Sequence, residues 1–207
     1  MNLEELRRLR PGFVFDLDST VTCCELLPEI ARCAGLEAEM ARRTEQAMRG
    51  ETAFAESFLQ RTELLREVPL PRAREIAASI PVNPGIAGFL RAFPERCLIM
   101  TGNLDAWIEP LIERLGMGGR CICSRAIADG ERLIGVRSIL DKDRAADSLK
   151  HPFVAIGDGS NDAGLLRKAD LGIGFGGVRG PSEEVRAAAD VLVFGDSELC
   201  DLLYRLI

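Results

Sequence analysis

The sequence predicts an α/β fold: a doubly wound, mostly parallel sheet with a small helical cap inserted after the first strand. The first observation is that short apolar runs alternate along the chain with amphipathic segments, which is typical of a sheet with helices on both faces. The second is that residues 25–80 break this alternation, because they show helical periodicity and contain no strand-like run. The third is a pair of short acidic segments, each directly after an apolar run.

Each strand is predicted from a short apolar run, because such runs are typical of strands buried on both faces of a sheet. An irregular piece at residues 128–135 combines Asp129-Gly130 with alternating residues, and this pattern predicts a β-hairpin. The apolar runs cover residues 12–15, 97–100, 121–123, 152–156, 171–173 and 191–194.

Helices are predicted from apolar residues that recur at helical spacing. Between the strands, the segments 104–115 and 161–168 show this spacing. We interpret residues 21–80 as the helical cap, and residues 1–20 and 81–207 as a Rossmann-like α/β core. The predicted cap helices cover residues 26–33, 37–48, 53–66 and 72–80.

Composition limits the class of protein. The chain has 207 residues, of which 47% are hydrophobic, and this is enough for one core with a small cap. A net charge of −6 argues against a nucleic-acid partner, and the lack of any run of about 18 apolar residues argues against a membrane span. Seven cysteines without a CxxC pair predict reduced thiols in a cytoplasmic protein. We expect a monomer or a homodimer whose partner is a small molecule.

Acidic segments follow two of the predicted strands. Asp16 and Asp18 come at the end of the first strand, and Asp158 and Asp162 flank the turn after the run at residues 152–156. Ligands of parallel sheets bind beyond the carboxyl ends of the strands, and acids confined there repel each other unless a cation lies among them. Carboxylate oxygens with few other ligands suit Mg²⁺, which also holds substrate phosphate. The two segments therefore predict a Mg²⁺ site.

A third polar segment, Thr101-Gly102-Asn103, follows the second apolar run. Its hydroxyl, its backbone N–H and the helix predicted from Leu104 would suit a bound phosphate, although a helix cap by Asn103 explains the same residues. Lys142 lies between two acids at the start of a predicted helix, where a surface cluster of ion pairs is the ordinary explanation for a residue taken alone.

Three other motifs do not account for the sequence. An EF-hand loop that begins at the first acidic segment needs glycine at its sixth position and glutamate at its twelfth, where the chain has Val21 and Leu27. The pattern G-x-G-x-x-G at Gly172, Gly174 and Gly177 is typical of dinucleotide binding, but too few residues follow it to complete such a domain. A glycosidase pair in the first acidic segment would leave the second segment unexplained.

Taken in order, DLDST, MTGN, Lys142 and GDGSND resemble the four motifs of the haloacid dehalogenase superfamily. Their order and spacing extend over nearly the whole chain, which makes the combination specific. Within the superfamily the chain is similar to the phosphoserine phosphatase branch, in which a helical cap follows the first motif. The resemblance implies Mg²⁺ as cofactor and a phospho-aspartate intermediate.

The resemblance also implies a role for each motif residue. Asp16 would be the nucleophile, and Asp18 would first protonate the leaving alkoxide and then activate water. The ion would be held by Asp16, by the Asp18 backbone carbonyl and by Asp158. The Thr101 hydroxyl, the Gly102 amide and Lys142 would bind the phosphoryl oxygens. Asn161 and Asp162 would support the phosphate and the metal ion.

The cap carries further likeness to the same branch. Glu25 stands where those enzymes bind the substrate amino group, and Arg61 matches the arginine that binds the substrate carboxylate. Met48 and Phe54 match apolar residues that line the pocket. Asn103 is a departure, because it stands where this branch usually has glycine and would narrow the pocket or add a contact to the substrate.

We therefore expect Mg²⁺-dependent hydrolysis of a small phosphomonoester, most specifically of O-phosphoserine, whose ammonium and carboxylate groups suit Glu25 and Arg61. A second enzyme hypothesis keeps the phospho-aspartate but transfers the phosphoryl group to an alcohol, or takes another small substrate. A hypothesis from a different class is a non-catalytic module that binds Mg²⁺ and phosphate.

Overall fold

A computed structural model describes residues 2–48 and 54–207, and within these it leaves the side chains of residues 45–48 and 54 undescribed. Its centre is a seven-stranded sheet in the order β4-β3-β2-β1-β5-β6-β7. The neighbouring strands pair in parallel, except that β4 runs antiparallel to β3. The strands are β1 Gly12–Phe15, β2 Cys97–Leu104, β3 Cys121–Asp129, β4 Arg132–Ser138, β5 Phe153–Gly157, β6 Leu171–Phe175 and β7 Val191–Val193.

The strand order reverses around β1. The chain moves from β1 outward through β2 and β3, and then returns to place β5 on the other side of β1. In register, Phe15 is opposite Ile99 of β2 and Ile156 of β5, so these strands approach the same edge of the sheet. Such a switch point opens a crevice beyond the carboxyl ends of the strands, where ligands of α/β proteins bind.

Helices cover both faces of the sheet. Along β1, Phe13 and Phe15 belong to one buried apolar cluster while Val14 belongs to another, because successive side chains of a strand point to opposite faces. The rings of Phe13 and Phe89 meet edge to face at 5.0 Å in the larger cluster. The predicted doubly wound α/β fold is therefore confirmed. The helices outside the insertion are α1 Leu3–Arg8, α6 Pro84–Ala92, α7 Asp105–Arg114, α8 Lys142–Ala146, α9 Ala163–Lys168, α10 Glu183–Ala188 and α11 Asp196–Arg205.

The helical insertion lies between β1 and β2, as predicted. The last of its helices begins two residues before the predicted start, because Pro71 lies in the first turn, where a missing N–H is tolerated. This helix packs against α7, and Arg74 adds a 2.8 Å hydrogen bond from Nε to the Ala106 carbonyl. The inserted helices are α2 Leu26–Cys33, α3 Glu37–Met48, α4 Phe54–Leu64 and α5 Leu70–Ser79.

The predicted hairpin is also present, and it contacts the insertion. Strands β3 and β4 are joined by a tight turn in which Gly130 has a φ of +55°, a conformation that glycine adopts without strain. The carbonyl of Glu131 in this turn accepts a 2.8 Å hydrogen bond from the Leu70 N–H. The tip of the hairpin is therefore attached to the start of α5. In the part of the chain that the structure describes, no helix is long and apolar enough to cross a membrane.

Candidate active site

The loop after β1 separates the two aspartates of the first acidic segment. The Asp16 N–H donates a 2.8 Å hydrogen bond to the Ile156 carbonyl of β5. The chain then enters a tight turn at Leu17–Val21. Inside this turn Ser19 has a φ of +56°, which is uncommon for a residue other than glycine. Asp16 and Asp18 therefore do not share a face, as they would in a regular strand, and their carboxylates meet different partners.

Three carboxylates from the two acidic segments come together in the crevice. Asp16, Asp158 and Asp162 are buried, and each offers an oxygen within 4.8 Å of the others. Lys142, whose side chain is 1% exposed, places Nζ 2.5 Å from Oδ1 of Asp16 and 2.5 Å from Oδ1 of Asp162. The position of Lys142 inside the cluster excludes the alternative of a surface ion-pair network. The three acids outnumber the two cations that contact them, Lys142 and Arg179, so the cluster keeps an excess of negative charge.

Burial and mutual repulsion act on the pKa values of these acids. Burial raises the pKa of Asp16 well above its usual range, and Asp162 adds to the increase while Lys142 opposes it. Burial also raises the pKa of Asp158 to about 6, against the lowering effect of Arg179. These carboxylates are thus held close together at a cost that a divalent cation would offset.

The donor set of the cluster fits Mg²⁺, since it consists of carboxylate oxygens and already has too much negative charge. Asp16 and Asp158 are the predicted ligands that the structure brings together, and Asp162 joins them as a third acid. The Asp18 carboxylate points elsewhere, so its predicted part in metal binding, through the backbone carbonyl, stays a prediction. Asp162 has both oxygens engaged, because Oδ2 also accepts a 3.0 Å hydrogen bond from the Gly159 N–H.

Asp18 is held by two donors. Its Oδ1 accepts from the Leu26 N–H at the start of α2, at 3.3 Å, and its Oδ2 accepts from Nδ2 of Asn103 at 3.0 Å. Burial and the charge of Glu25 raise the pKa of Asp18 to about 7, and the hydrogen bonds from Asn103 and Leu26 act in the opposite direction. A carboxyl group that titrates near neutral pH is suited to donate and then accept a proton.

The polar segment at the end of β2 differs from its prediction. Strand β2 continues to Leu104 with an irregular register after Thr101, and α7 begins only at Asp105. Leu104 is the residue that precedes the helix, so Asn103 does not cap it. Instead, Asn103 donates from its backbone N–H to Thr101 Oγ1 at 3.2 Å, while its buried side-chain oxygen has no hydrogen-bond partner among the described residues. This oxygen is an available acceptor next to Asp18.

The loop after β5 depends on glycine for its close approach to Asp162. A Cβ atom at Gly157 would lie 2.5 Å from the Asp162 carboxyl carbon, which no side chain tolerates. Asp158 is held on its other side by the Thr20 hydroxyl, which donates to Oδ1 at 3.4 Å. Asn161 lies in the short 3₁₀ turn Ser160–Asp162 beside these acids.

Two of the predicted cap residues lie near Asp18. Glu25 directly precedes α2, and its Oε1 accepts from the Ser19 hydroxyl at 3.0 Å. Arg61 lies on α4, where burial lowers the pKa of its guanidinium while Glu25 and Asp18 act to raise it. Arg61 is therefore within electrostatic reach of both acids. The side chains of Met48 and Phe54 are outside the described part of the chain.

Sequence reasoning missed Arg179. It lies in the glycine-rich loop after β6, and its Nε donates to Asp158 Oδ2 at 2.8 Å while its Nη2 is 3.0 Å from Glu25 Oε1. The position of this loop in the fold could have indicated it. The loop follows β6, which neighbours β5 in parallel, so both strands end at the same edge of the sheet. Gly172 and Gly174 lie inside β6, so the G-x-G-x-x-G match is not a strand-to-helix turn.

The family model of the haloacid dehalogenase-like hydrolases matches residues 13–167. The chain belongs to this family. A phosphoserine phosphatase of Mycobacterium tuberculosis is 33% identical over 184 residues, which are 81% of this chain and 44% of that protein. The phosphoserine phosphatase of Archaeoglobus fulgidus is 31% identical, over 78% of this chain and 51% of that protein. The chain thus spans about half the length of these two relatives.

Other relatives match in length as well. The phosphoserine phosphatase of Idiomarina loihiensis is 30% identical, over 78% of this chain and 80% of that protein. Among solved structures, a phospho-aspartyl intermediate analogue of a phosphoserine phosphatase superposes with a TM-score of 0.77 and 25% identity, covering 92% of this chain and 98% of the other. The predicted resemblance to the phosphoserine phosphatase branch is confirmed by these similarities.

Proposed function

We propose that this protein is a Mg²⁺-dependent phosphomonoesterase that acts through a phospho-aspartate on Asp16 and prefers O-phosphoserine. The observation that carries the proposal is the buried cluster of Asp16, Asp158 and Asp162 around Lys142, at the switch point of the sheet. The phosphoserine phosphatases among its relatives support the choice of substrate. We also propose a cytoplasmic location, where the cysteines would stay reduced, and a role in serine biosynthesis.

The first chemical step forms the phospho-aspartate. A carboxylate oxygen of Asp16 attacks phosphorus as the bond to the substrate oxygen breaks, and the carboxyl group of Asp18 gives its proton to that leaving oxygen. The pKa of about 7 for Asp18 is compatible with a protonated group at this stage. In the second step Asp18 takes a proton from water, the water oxygen attacks phosphorus, and the aspartyl–phosphate bond breaks to release inorganic phosphate.

Other residues bind and orient the phosphoryl group. The Thr101 hydroxyl, the Gly102 N–H and the Lys142 ammonium donate to its oxygens, and Asn161 supports it from the loop after β5. Asp162 keeps Lys142 in place through the 2.5 Å ion pair. Asp16, Asp158 and the Asp18 backbone carbonyl would hold Mg²⁺, which would supply the positive charge that allows a phosphate dianion to approach these acids.

The inserted helices bind the part of the substrate that lies beyond its phosphoryl group. In this proposal residues 21–80 form a cap over the core made of residues 1–20 and 81–207, and the cap excludes water from the crevice. Glu25 accepts from the substrate ammonium, and Arg61 grips the carboxylate. The remaining groups in contact with the substrate are Asn103, with its unpartnered side-chain oxygen, and the apolar residues Met48 and Phe54.

A panel of phosphomonoesters assayed with Mg²⁺ and with EDTA tests this proposal. We expect phosphate release in the presence of Mg²⁺, with the largest kcat/KM for phosphoserine and a smaller value for an aryl phosphate. Transfer of the phosphoryl group to an added alcohol in place of water would favour the phosphotransferase alternative. Binding of phosphate without any turnover of the panel would favour the non-catalytic module and contradict the proposal.

Replacing Arg61 with alanine should separate substrates with a carboxylate from those without one. The change is expected to lower kcat/KM for phosphoserine by about 30- to 1000-fold, since truncating one partner of a buried charge pair costs about 2–4 kcal/mol. Hydrolysis of an aryl phosphate should change little. Arg66→Ala is the matched control, because Arg66 lies on the exposed side of the same region and pairs with Glu63. An equal decrease for both substrates would show that Arg61 is structural.

Mg²⁺ should stabilise the fold as well as allow turnover. At about 100 times its Kd, the ion is expected to raise the free energy of unfolding by about 2.7 kcal/mol, because it binds the folded state alone. Thermal unfolding with and without EDTA measures this shift. Asp158→Asn should greatly reduce the shift, whereas Asp201→Asn, an exposed acid on α11, should leave it unchanged. A full shift in Asp158→Asn would contradict the assigned metal site.

A further inference from the structure

Arg179 joins the two halves of the site. Its Nε lies 2.8 Å from Oδ2 of Asp158, an acid of the proposed metal site, and its Nη2 lies 3.0 Å from Oε1 of Glu25. Its side chain is 39% exposed, so it lies at the mouth of the crevice and not in the core. Glu25 is the acid to which the proposed function assigns the substrate ammonium, and here it already has a cationic partner.

Glu25 has cationic neighbours at this mouth. It contacts the guanidinium of Arg179 and lies within electrostatic reach of that of Arg61. Burial lowers the pKa of Arg61 first of all, and the like charge of Arg179 lowers it further. The oxygen of Glu25 that contacts Arg179 also accepts the 3.0 Å hydrogen bond from Ser19.

A substrate ammonium therefore gains less from Glu25 than it would from an unpaired acid. To reach the contacted oxygen it must displace the guanidinium of Arg179, and if it shares Glu25 it faces a like charge. A substrate that carries a carboxylate and no amino group avoids both penalties. It also meets a second guanidinium beside Arg61, and guanidinium groups are well suited to carboxylates.

We propose that Arg179 determines specificity by neutralising Glu25, so that the enzyme also accepts phosphomonoesters of hydroxy acids that have no amino group. This inference rests on the proposed function and extends its substrate class from phosphorylated amino acids to phosphorylated hydroxy acids. A purely structural role, in which Arg179 only fastens the loop after β6, predicts a different outcome, because loosening the loop would affect all substrates alike.

The test compares phosphoserine with 3-phosphooxypropanoate, which is the same molecule without its amino group, and uses an aryl phosphate as the reference. In the wild-type enzyme the ratio of kcat/KM for phosphoserine to that for the amine-free substrate is expected to stay within about tenfold. In Arg179→Gln this ratio should rise by about tenfold or more, because Glu25 becomes free for the ammonium while the amine-free substrate loses a cationic partner. Glu25→Gln, alone or combined with Arg179→Gln, should reduce the ratio to about one.

Arg186→Gln is the matched control for the loop. Arg186 donates from Nε to the Pro181 carbonyl at 3.0 Å, so it fastens the same loop from α10. Its removal should leave the ratio unchanged. Because all three substrates use the same ion, a change in Mg²⁺ affinity cancels in the ratio, and calorimetric titration of Mg²⁺ into each variant measures that affinity separately.

An unchanged ratio in Arg179→Gln, or an equal decrease for all three substrates, would overturn the inference. So would a change of the same size in Arg186→Gln. If Arg179→Gln does not fold, Arg179→Lys takes its place and should raise the ratio several-fold, since lysine lacks the fork that bridges two carboxylates. Failure of the proposed function looks different: the wild-type enzyme would not hydrolyse even the aryl phosphate with Mg²⁺.

Discussion

Asp16→Asn is expected to lower kcat by about 10⁴-fold or more, the order found when a covalent nucleophile is removed. The amide keeps the shape of the side chain but cannot form the aspartyl–phosphate bond. Stability should be equal or greater, because the substitution removes one of three mutually repelling carboxylates and Lys142 retains its ion pair with Asp162. Steady-state turnover of phosphoserine and the thermal midpoint of unfolding measure the two effects separately.

Asp147→Asn serves as the control for Asp16→Asn. Asp147 loses the same charge, but its side chain is 68% exposed and pairs with Lys168 on the surface. Its kcat should stay within about twofold of the wild-type value, because exposed ion pairs contribute little. Acid quenching during turnover of labelled phosphoserine should trap labelled protein in the wild type and none in Asp16→Asn. Normal turnover by a well-folded Asp16→Asn protein would rule out the phospho-aspartate mechanism.

Lys142→Met should have the largest effect on stability. The ammonium is the cation that separates Asp16 from Asp162, and removing one partner of a buried ion pair typically costs about 3–5 kcal/mol. Methionine fills a similar volume, so most of the loss should come from uncompensated charge. We expect this decrease in the free energy of unfolding in EDTA, and a smaller decrease with Mg²⁺, which supplies a replacement charge. Urea denaturation under both conditions measures it.

Lys168→Met is the matched control on the surface. Lys168 also contacts two acids, Asp143 and Asp147, at 3.0 and 2.7 Å, but its side chain is 34% exposed. Its loss should cost less than about 1 kcal/mol, because solvent screens the charges. Equal destabilisation by the two substitutions would mean that the buried cluster does not depend on its lysine. Phosphatase activity should fall about 10²- to 10³-fold in Lys142→Met and remain near normal in Lys168→Met.

The two halves of the site respond to different tests. In the proposed mechanism Asp16, Lys142 and Asp158 act on the phosphoryl group, which every substrate shares, so their replacement should affect all substrates. Glu25, Arg61 and Arg179 are proposed to face the rest of the substrate, so their replacement should alter substrate preference more than the chemical steps. Comparing several substrates in each variant therefore distinguishes a wrong substrate assignment from a wrong reaction class.

Much of the fold could be predicted because its determinants are local. The first strand, Gly12–Phe15, and the helix Leu26–Cys33 have the predicted bounds, since a buried run or a helical period is visible within one segment. Strand β2 was predicted too short, because Thr101, Gly102 and Asn103 are polar or flexible residues that usually mark the end of a strand. Its extension is stabilised by pairing with β3, a tertiary contact.

The sequence alone determined the α/β class, the position of the helical insertion and the residue types available for the proposed phosphoryl transfer, because periodicity and motif order are properties of the linear chain. The tertiary structure decided which charges meet. It grouped Asp162 with Asp16 and Asp158, turned Asp18 towards Asn103, and brought Arg179 between Glu25 and Asp158. Partners such as Thr20 and Asp158 are 138 residues apart, and only the reversal of strand order around β1 brings such segments into one crevice.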